Sequence, residues 1–297
     1  MPFVHTLKAL EIELARELCP PARLDILLRT CKDVRMRVQE IKPVRLVQAK
    51  RCTDVQTLKH GLENILNSEV KNIEILDLRN ISMGLKGMRE IAGILPRCVV
   101  LSRLYLTRNN LGKGGSKILS NIIPFCKSLK HLDLRGNNIG CDGLQTLASV
   151  LGRCKSLTYL NLCSNQAYNI GWLSVELQNC PTLKHLDYSN NMIGNVGANV
   201  MAASLDQKAS LTHLNLANCC FGDKGASSIA AALRHCTSLR HLNLSTNAIG
   251  NEGVEKLAEM LKHNTTLAEL QLGHTWAGQR GIDTIKMLNS KCKILFK

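Results

Sequence analysis

The sequence predicts an α/β solenoid, with a concave parallel β-sheet, convex α-helices and a helical cap at the N-terminal end. Three observations carry this. A block of about 28 residues recurs in one register from Ile73 onward. Each block joins a short period-two run of leucines to a longer run of helical periodicity. Glycines stand at fixed places between the two.

The period is plain in two copies. From Leu129 the chain reads LKHLDLRGNNIGCDGLQTLASVLGRCKS, and from Leu239 it reads LRHLNLSTNAIGNEGVEKLAEMLKHNTT. The register starts at Ile73, Leu101, Leu129, Leu157, Leu183, Leu211, Leu239 and Leu267, so eight units fill 73–294 and a truncated ninth strand is expected at 295–297. Alternating L-x-L makes a strand with one buried face, and the Asn that follows offers its side chain to the backbone of the loop. That Asn recurs at 109, 137, 165, 191 and 247, with Cys219 in its place once. One glycine column (Gly87, Gly115, Gly143, Gly171, Gly197, Gly225, Gly253, Gly281) is complete, and a second fails only at Tyr168. Glycine permits positive φ or close backbone approach at such a corner.

A unit of this kind cannot bury its own apolar face, whereas stacked neighbours share one core. The pattern L-x-x-L-x-L-x-x-N resembles leucine-rich repeats of the ribonuclease-inhibitor-like subclass. The resemblance implies a horseshoe-shaped leucine-rich repeat solenoid over roughly three quarters of the chain and says little of function. Before the array, 44–72 (VRLVQAKRC, then TLKHGLENILN) reads as a degenerate opening repeat. LKALEIELARELC and LDILLRTCKDVRMRVQEI within 1–43 read as two cap helices parted by Pro20-Pro21.

Composition narrows the class. Only 3% of residues are aromatic, so Leu, Ile, Val and Ala must fill the core. No run approaches ~18 apolar residues, which excludes a spanning helix, and Glu11 and Glu13 interrupt the stretch where a secretory signal would run. The expected setting is reducing and cytoplasmic, with the cytoskeleton one such place. The 13 cysteines then read as thiols, six of them (Cys98, Cys126, Cys154, Cys180, Cys236, Cys292) at one repeat position as buried fillers. A line of thiols, one per repeat, does not converge on a metal.

Alternation places the residues two, four and six after each start on the concave face. Candidate partner contacts there and in the adjoining ascending loops are Arg79, Arg103, Tyr105, Arg108, His131, Asp133, Arg135, Tyr159, His185, Asp187, His213 and His241. The His column beside an Asp/Asn column is expected to form hydrogen-bonded ladders, since side chains pointing in parallel do not surround an ion. Tyr168 and Trp172, in the irregular fourth repeat, are candidate aromatic anchors. No nucleophile has a unique His and carboxylate, and no phosphate-binding loop is present. The chain therefore reads as non-enzymatic, with neither metal nor cofactor.

Charge points to a partner. The chain carries +15, and residues 73–155 hold 13 Lys/Arg against 5 Asp/Glu while 156–297 hold 12 against 9. The favoured reading is an interaction scaffold whose concave face and ascending loops take an acidic protein surface or tail, such as those of tubulin. No membrane and no small-molecule substrate is expected. A similarity of scaffold to the Ran GTPase-activating protein keeps a GTPase-activating role as an alternative, and pI 9.4 keeps RNA binding or RNA–protein assembly. Against RNA, the charge is spread along the sequence and stacking aromatics are few.

Overall fold

The computed structural model describes residues 25–31, 34–41 and 44–50 through their backbone, and residues 73–206, 210–288 and 291–296. One sheet runs in strict chain order. Its strands are β1 (Asp25–Cys31), β2 (Val34–Ile41), β3 (Val44–Lys50), β4 (Ile75–Asp77), β5 (Arg103–Tyr105), β6 (His131–Asp133), β7 (Tyr159–Asn161), β8 (His185–Asp187), β9 (His213–Asn215), β10 (His241–Asn243), β11 (Glu269–Gln271) and β12 (Lys293–Leu295). From β4 to β11 each strand is followed by a helix: α1 (Gly84–Ala92), α2 (Gly112–Ile122), α3 (Gly140–Ala148), α4 (Leu173–Gln178), α5 (Gly194–Asp206), α6 (Asp223–Leu233), α7 (Asn251–Leu261) and α8 (Gln279–Lys286). Packed helices need about 8–10 Å where paired strands need about 4.8 Å, so a stack with helices on one side curves away from them.

Two expectations are corrected. Within the stretch expected to be the second helix of the cap at 1–43, Asp25–Cys31 and Val34–Ile41 pair as the antiparallel strands β1 and β2, and β2 pairs antiparallel with β3. The reason is legible in VRMRVQEI: Val34, Met36 and Val38 alternate with Arg35, Arg37 and Gln39, a period of two rather than 3.6. β3 then joins β4 in parallel, with Leu46 opposite Ile75. The cap helix expected at 7–19 and the helix at 57–67 lie outside the described residues. At the other end the last strand is β12, in register as Glu269 to Lys293 and Leu270 to Ile294, and not a strand begun at Leu295. The last unit is shorter than its fellows, and Ile294 rather than a later residue meets the leucine of β11.

The buried side chains form one continuous cluster from Ile73 to Cys292. Its spine is the central residue of each strand, Leu76, Leu104, Leu132, Leu160, Leu186, Leu214, Leu242 and Leu270, all buried. The six repeated cysteines are buried too. Burial drives the Cys98 and Cys292 thiols up to about 11 and those of Cys126 and Cys154 to about 12, so they stay protonated and inert.

The repeat asparagines hold neighbouring loops together. Asn137 Oδ1 accepts from the Asn109 amide at 2.9 Å, and its Nδ2 donates to the carbonyls of Leu106 (2.8 Å) and Leu134 (2.9 Å). Asn165, Asn191 and Asn247 repeat this pattern. Every one of these side chains is buried, so each satisfies polar backbone that would otherwise be buried unpaired. Where Cys219 replaces Asn, its Sγ reaches the Tyr188 carbonyl at 3.5 Å.

Candidate protein-interaction surface

The strand residues that face away from the core assemble into a rail of rings. Parallel register sets Arg103, His131, Tyr159, His185, His213 and His241 side by side, because each pairs with its counterpart in the next strand. Tyr105 tilts over His131 at 4.9 Å between centroids, and His131 stacks on Tyr159 at 3.9 Å and 7°. Tyr159 and His185 stand 6.0 Å apart. His185 meets His213 edge-on at 3.9 Å, and His213 stacks on His241 at 4.2 Å and 13°. At the N-terminal end the Arg79 guanidinium lies 5.2 Å from the Tyr105 centroid.

The expected His–Asp/Asn ladders are not what forms. The acids and amides of the neighbouring column turn back to their own chain: Asp133, Asn161, Asp187, Asn215 and Asn243 each accept from the amide two residues on, at 2.9–3.1 Å. A short polar side chain at the strand exit satisfies that amide locally, which leaves the imidazoles to stack on one another.

Protonation follows from this packing. Burial first, then Arg103 and His185, push the His131 imidazole down to about 4. Burial also lowers His185, with His241 and Lys184 adding to it, and lowers His213, with His185 and His241 adding. These three rings are therefore neutral at pH 7, and the positive field comes from arginine. Arg79 is matched by Asp77 in a two-point contact, Nε to Oδ1 at 2.8 Å and Nη2 to Oδ2 at 2.7 Å. Arg103, Arg108 and Arg135 form no ion pair with a described residue. Arg108 and Arg135 are exposed on the ascending side, and Arg103 is half-buried on the concave face. Beyond Tyr159 the rail borders a shallow depression of about 260 Å³ flanked by His185, Asp187, His213, His241 and Asn243.

Two family models match the sequence: a Leucine Rich repeat over residues 125–148 and the TMOD/LMOD Leucine-rich domain over residues 174–295. The chain is a leucine-rich repeat protein. No curated protein matches it significantly. Among solved structures, actin-binding site 2 of leiomodin-1 is similar at 20% identity and TM-score 0.40, covering 47% of this chain and 85% of that one. Internalin C2 from Listeria monocytogenes is similar at 17% identity and TM-score 0.47, covering 77% and 82%.

Within this leucine-rich repeat protein, Tyr168 projects into solvent while Trp172 packs against the core, its indole N–H buried and without a partner. Tyr168 is therefore the exposed member of that pair. Sequence reasoning missed Trp276, the more exposed tryptophan. It shares a loop position with Met192, Cys220 and Ala248, and so ends an apolar row on the ascending edge of the C-terminal repeats. The same position in earlier repeats is polar and joined, Asn138 donating to Asn110 at 3.2 Å and Gln166 to Asn138 at 3.0 Å. The signal was present as a column nine residues after each start, but amide and apolar residues there are told apart only once exposure is known. Among the described residues no cluster of three His, Cys, Asp or Glu could hold a metal ion.

Proposed function

We propose that the protein is a non-enzymatic scaffold of the ribonuclease-inhibitor-like subclass that takes an acidic protein surface or tail on its concave face. The observation that supports this most is a ring rail flanked at one end by arginines that have no carboxylate partner among the described residues. Stacked rings present a firm surface at little entropic cost, and Arg103, Arg108 and Arg135 supply the sign of charge that draws an acidic partner in. The rail also leaves no nucleophile or general base poised apart from its neighbours, so the reading includes no reaction.

Actin is the first candidate partner, because the TMOD/LMOD model matches 174–295 and leiomodin-1 carries an actin-binding site. Tubulin is the second on grounds of charge. Co-sedimentation with actin filaments and with microtubules, together with affinity capture and mass spectrometry, tests the reading. Changing Arg103, Arg108 and Arg135 together to Glu is expected to abolish the salt-sensitive part of binding. Unchanged capture of every partner by that variant would overturn it.

A further inference from the structure

A second charged surface lies on a different edge of the molecule. Four successive helix-to-strand corners share one backbone bond: the cysteine amide bonds the carbonyl three residues back at 2.9–3.2 Å in Cys98, Cys126, Cys154 and Cys180. Equivalent residues of successive repeats are thus set side by side. Cross-links hold them so, with Ser128 Oγ donating to the Val99 carbonyl at 2.9 Å, Ser156 Oγ to the Lys127 carbonyl at 2.8 Å, and the Lys184 amide to the Thr158 carbonyl at 2.9 Å. This rim carries Arg97, Lys127, Lys130, Arg153, Lys155 and Lys184, all exposed. None of the six forms an ion pair with a described residue. The four corner segments 97–102, 125–130, 153–158 and 179–184 contain no Asp or Glu.

Apolar side chains stand among these cations. Phe125 is 57% exposed and occupies the same corner position as Arg97 and Arg153 in the flanking repeats, while Val99 (56%) and Val100 (43%) are exposed in the corner before it. The rim is distinct from the concave face, since its residues precede the strands and none belongs to the ring rail. The repeat register already places Lys127, Lys130, Arg153 and Lys155 in adjacent helix-to-strand corners, and stacking gathers them with Arg97 and Lys184 into one exposed row.

We propose, against the expectation from sequence that no membrane is a partner, that this rim docks on an anionic membrane surface. Lys and Arg near such a surface attract acidic headgroups, and a few exposed apolar side chains among them enter the boundary of the acyl region. Two of the three apolar members are valines, which offer no face for a nucleobase to stack on, so the rim fits a lipid surface better than a single-stranded nucleic acid. Successive corners form a row rather than a pocket, which matches an extended surface. No described helix is long and apolar enough to cross a membrane, so the contact is one of lying on the surface and not of spanning it.

The test is flotation of the full chain with vesicles of phosphatidylcholine alone and with roughly 30 mol% phosphatidylserine. Binding is expected only to the second, and to weaken as salt rises. The variant Lys127→Glu, Lys130→Glu, Lys155→Glu is expected to lose affinity by about a hundredfold, with the corresponding triple Gln variant as a milder second form should charge reversal disturb folding. Phe125→Ser is expected to weaken binding several-fold without altering its salt dependence. The concave variant Arg103→Glu, Arg108→Glu, Arg135→Glu should still bind vesicles, which separates this idea from the proposed protein partner. Equal binding to neutral vesicles, unchanged affinity in the folded rim variants, or displacement of the vesicles by equimolar polyuridylate or polyglutamate would each overturn it.

Discussion

The first three repeats and the last three turn the corner from strand to helix in two different ways. In the early repeats the corner glycine takes a left-handed conformation, φ +70° at Gly140, and its amide points forward to a backbone carbonyl of the next repeat, Asn165 at 2.9 Å. In the late repeats Gly222, Gly250 and Gly278 are in the extended region and their amides point back to a side chain of the preceding repeat. Asn195, Asp223 and Asn251 each accept two amides there, as Asp223 Oδ1 does from Gly250 at 2.7 Å and Gly253 at 2.9 Å. The equivalent residues early in the array are Leu85 and Lys113, which cannot accept, and Cys141, whose sulfur takes the amides of Tyr168 and Asn169 at 3.3 Å. One residue per repeat therefore selects the direction in which the units are tied. The late repeats, within the stretch that matches the TMOD/LMOD model, are tied by side chains, and the early ones by backbone.

Mutations test how far this division reaches. The largest effect is expected where both halves share one device, the asparagine ladder. Asn137→Ala strands the Asn109 amide and two carbonyls and should cost about 3–5 kcal/mol in chemical denaturation. Cys219→Ala, at the ladder's weak rung, should cost about 1–2 kcal/mol. Equal losses would mean that the sulfur is as good a rung as the amide. Next, Asp223→Ala removes the acceptor for two amides and is expected to cost about 2 kcal/mol, against under about 1 kcal/mol for Cys141→Ala.

Two alanine substitutions isolate the backbone. At Gly140 an added Cβ meets nothing within 4 Å, so the cost of Gly140→Ala is that of positive φ alone, about 1–2 kcal/mol. At Gly278, with φ −77° and ordinary contacts, Gly278→Ala should be neutral or stabilise by about 0.4–1 kcal/mol. Similar losses at both sites would erase the distinction between the corners.

The smallest effect is electrostatic. His131 binds its proton less readily in the fold than in the unfolded chain, so below pH 6.5 the unfolded state takes up more protons. Its contribution to stability is full above pH 6.5 and is lost as the pH falls to about 4. Thermal melting across that window should slope less steeply in His131→Gln, with a smaller flattening in His213→Gln toward the C-terminal end.

Much of this was legible in the chain. The eight starts, the buried thiols and the asparagine column follow from spacing alone, because a parallel solenoid repeats every contact at the repeat length. The alternation in Val34–Ile41 was legible too, and it was outweighed by the general expectation that an open solenoid end carries a helical cap. The concave candidates were placed on one face by period two, yet whether His185 and His213 would bond to Asp187 or stack on each other depends on where the short acid finds its nearest amide. That amide lies two residues on in its own strand.

The sequence by itself determined the repeat, the register and which side chains face inward, since a core rebuilt in every unit leaves its period in the residues. Tertiary structure alone decided how surface charge is used. It matched Arg79 with Asp77, left Arg103, Arg108 and Arg135 without a carboxylate among the described residues, and left exposed the corner cations whose adjacency the repeat register had already set. The reason is distance: Coulomb interactions act over a few ångströms and are screened beyond about 10 Å, and stacking makes neighbours of residues that the chain keeps far apart.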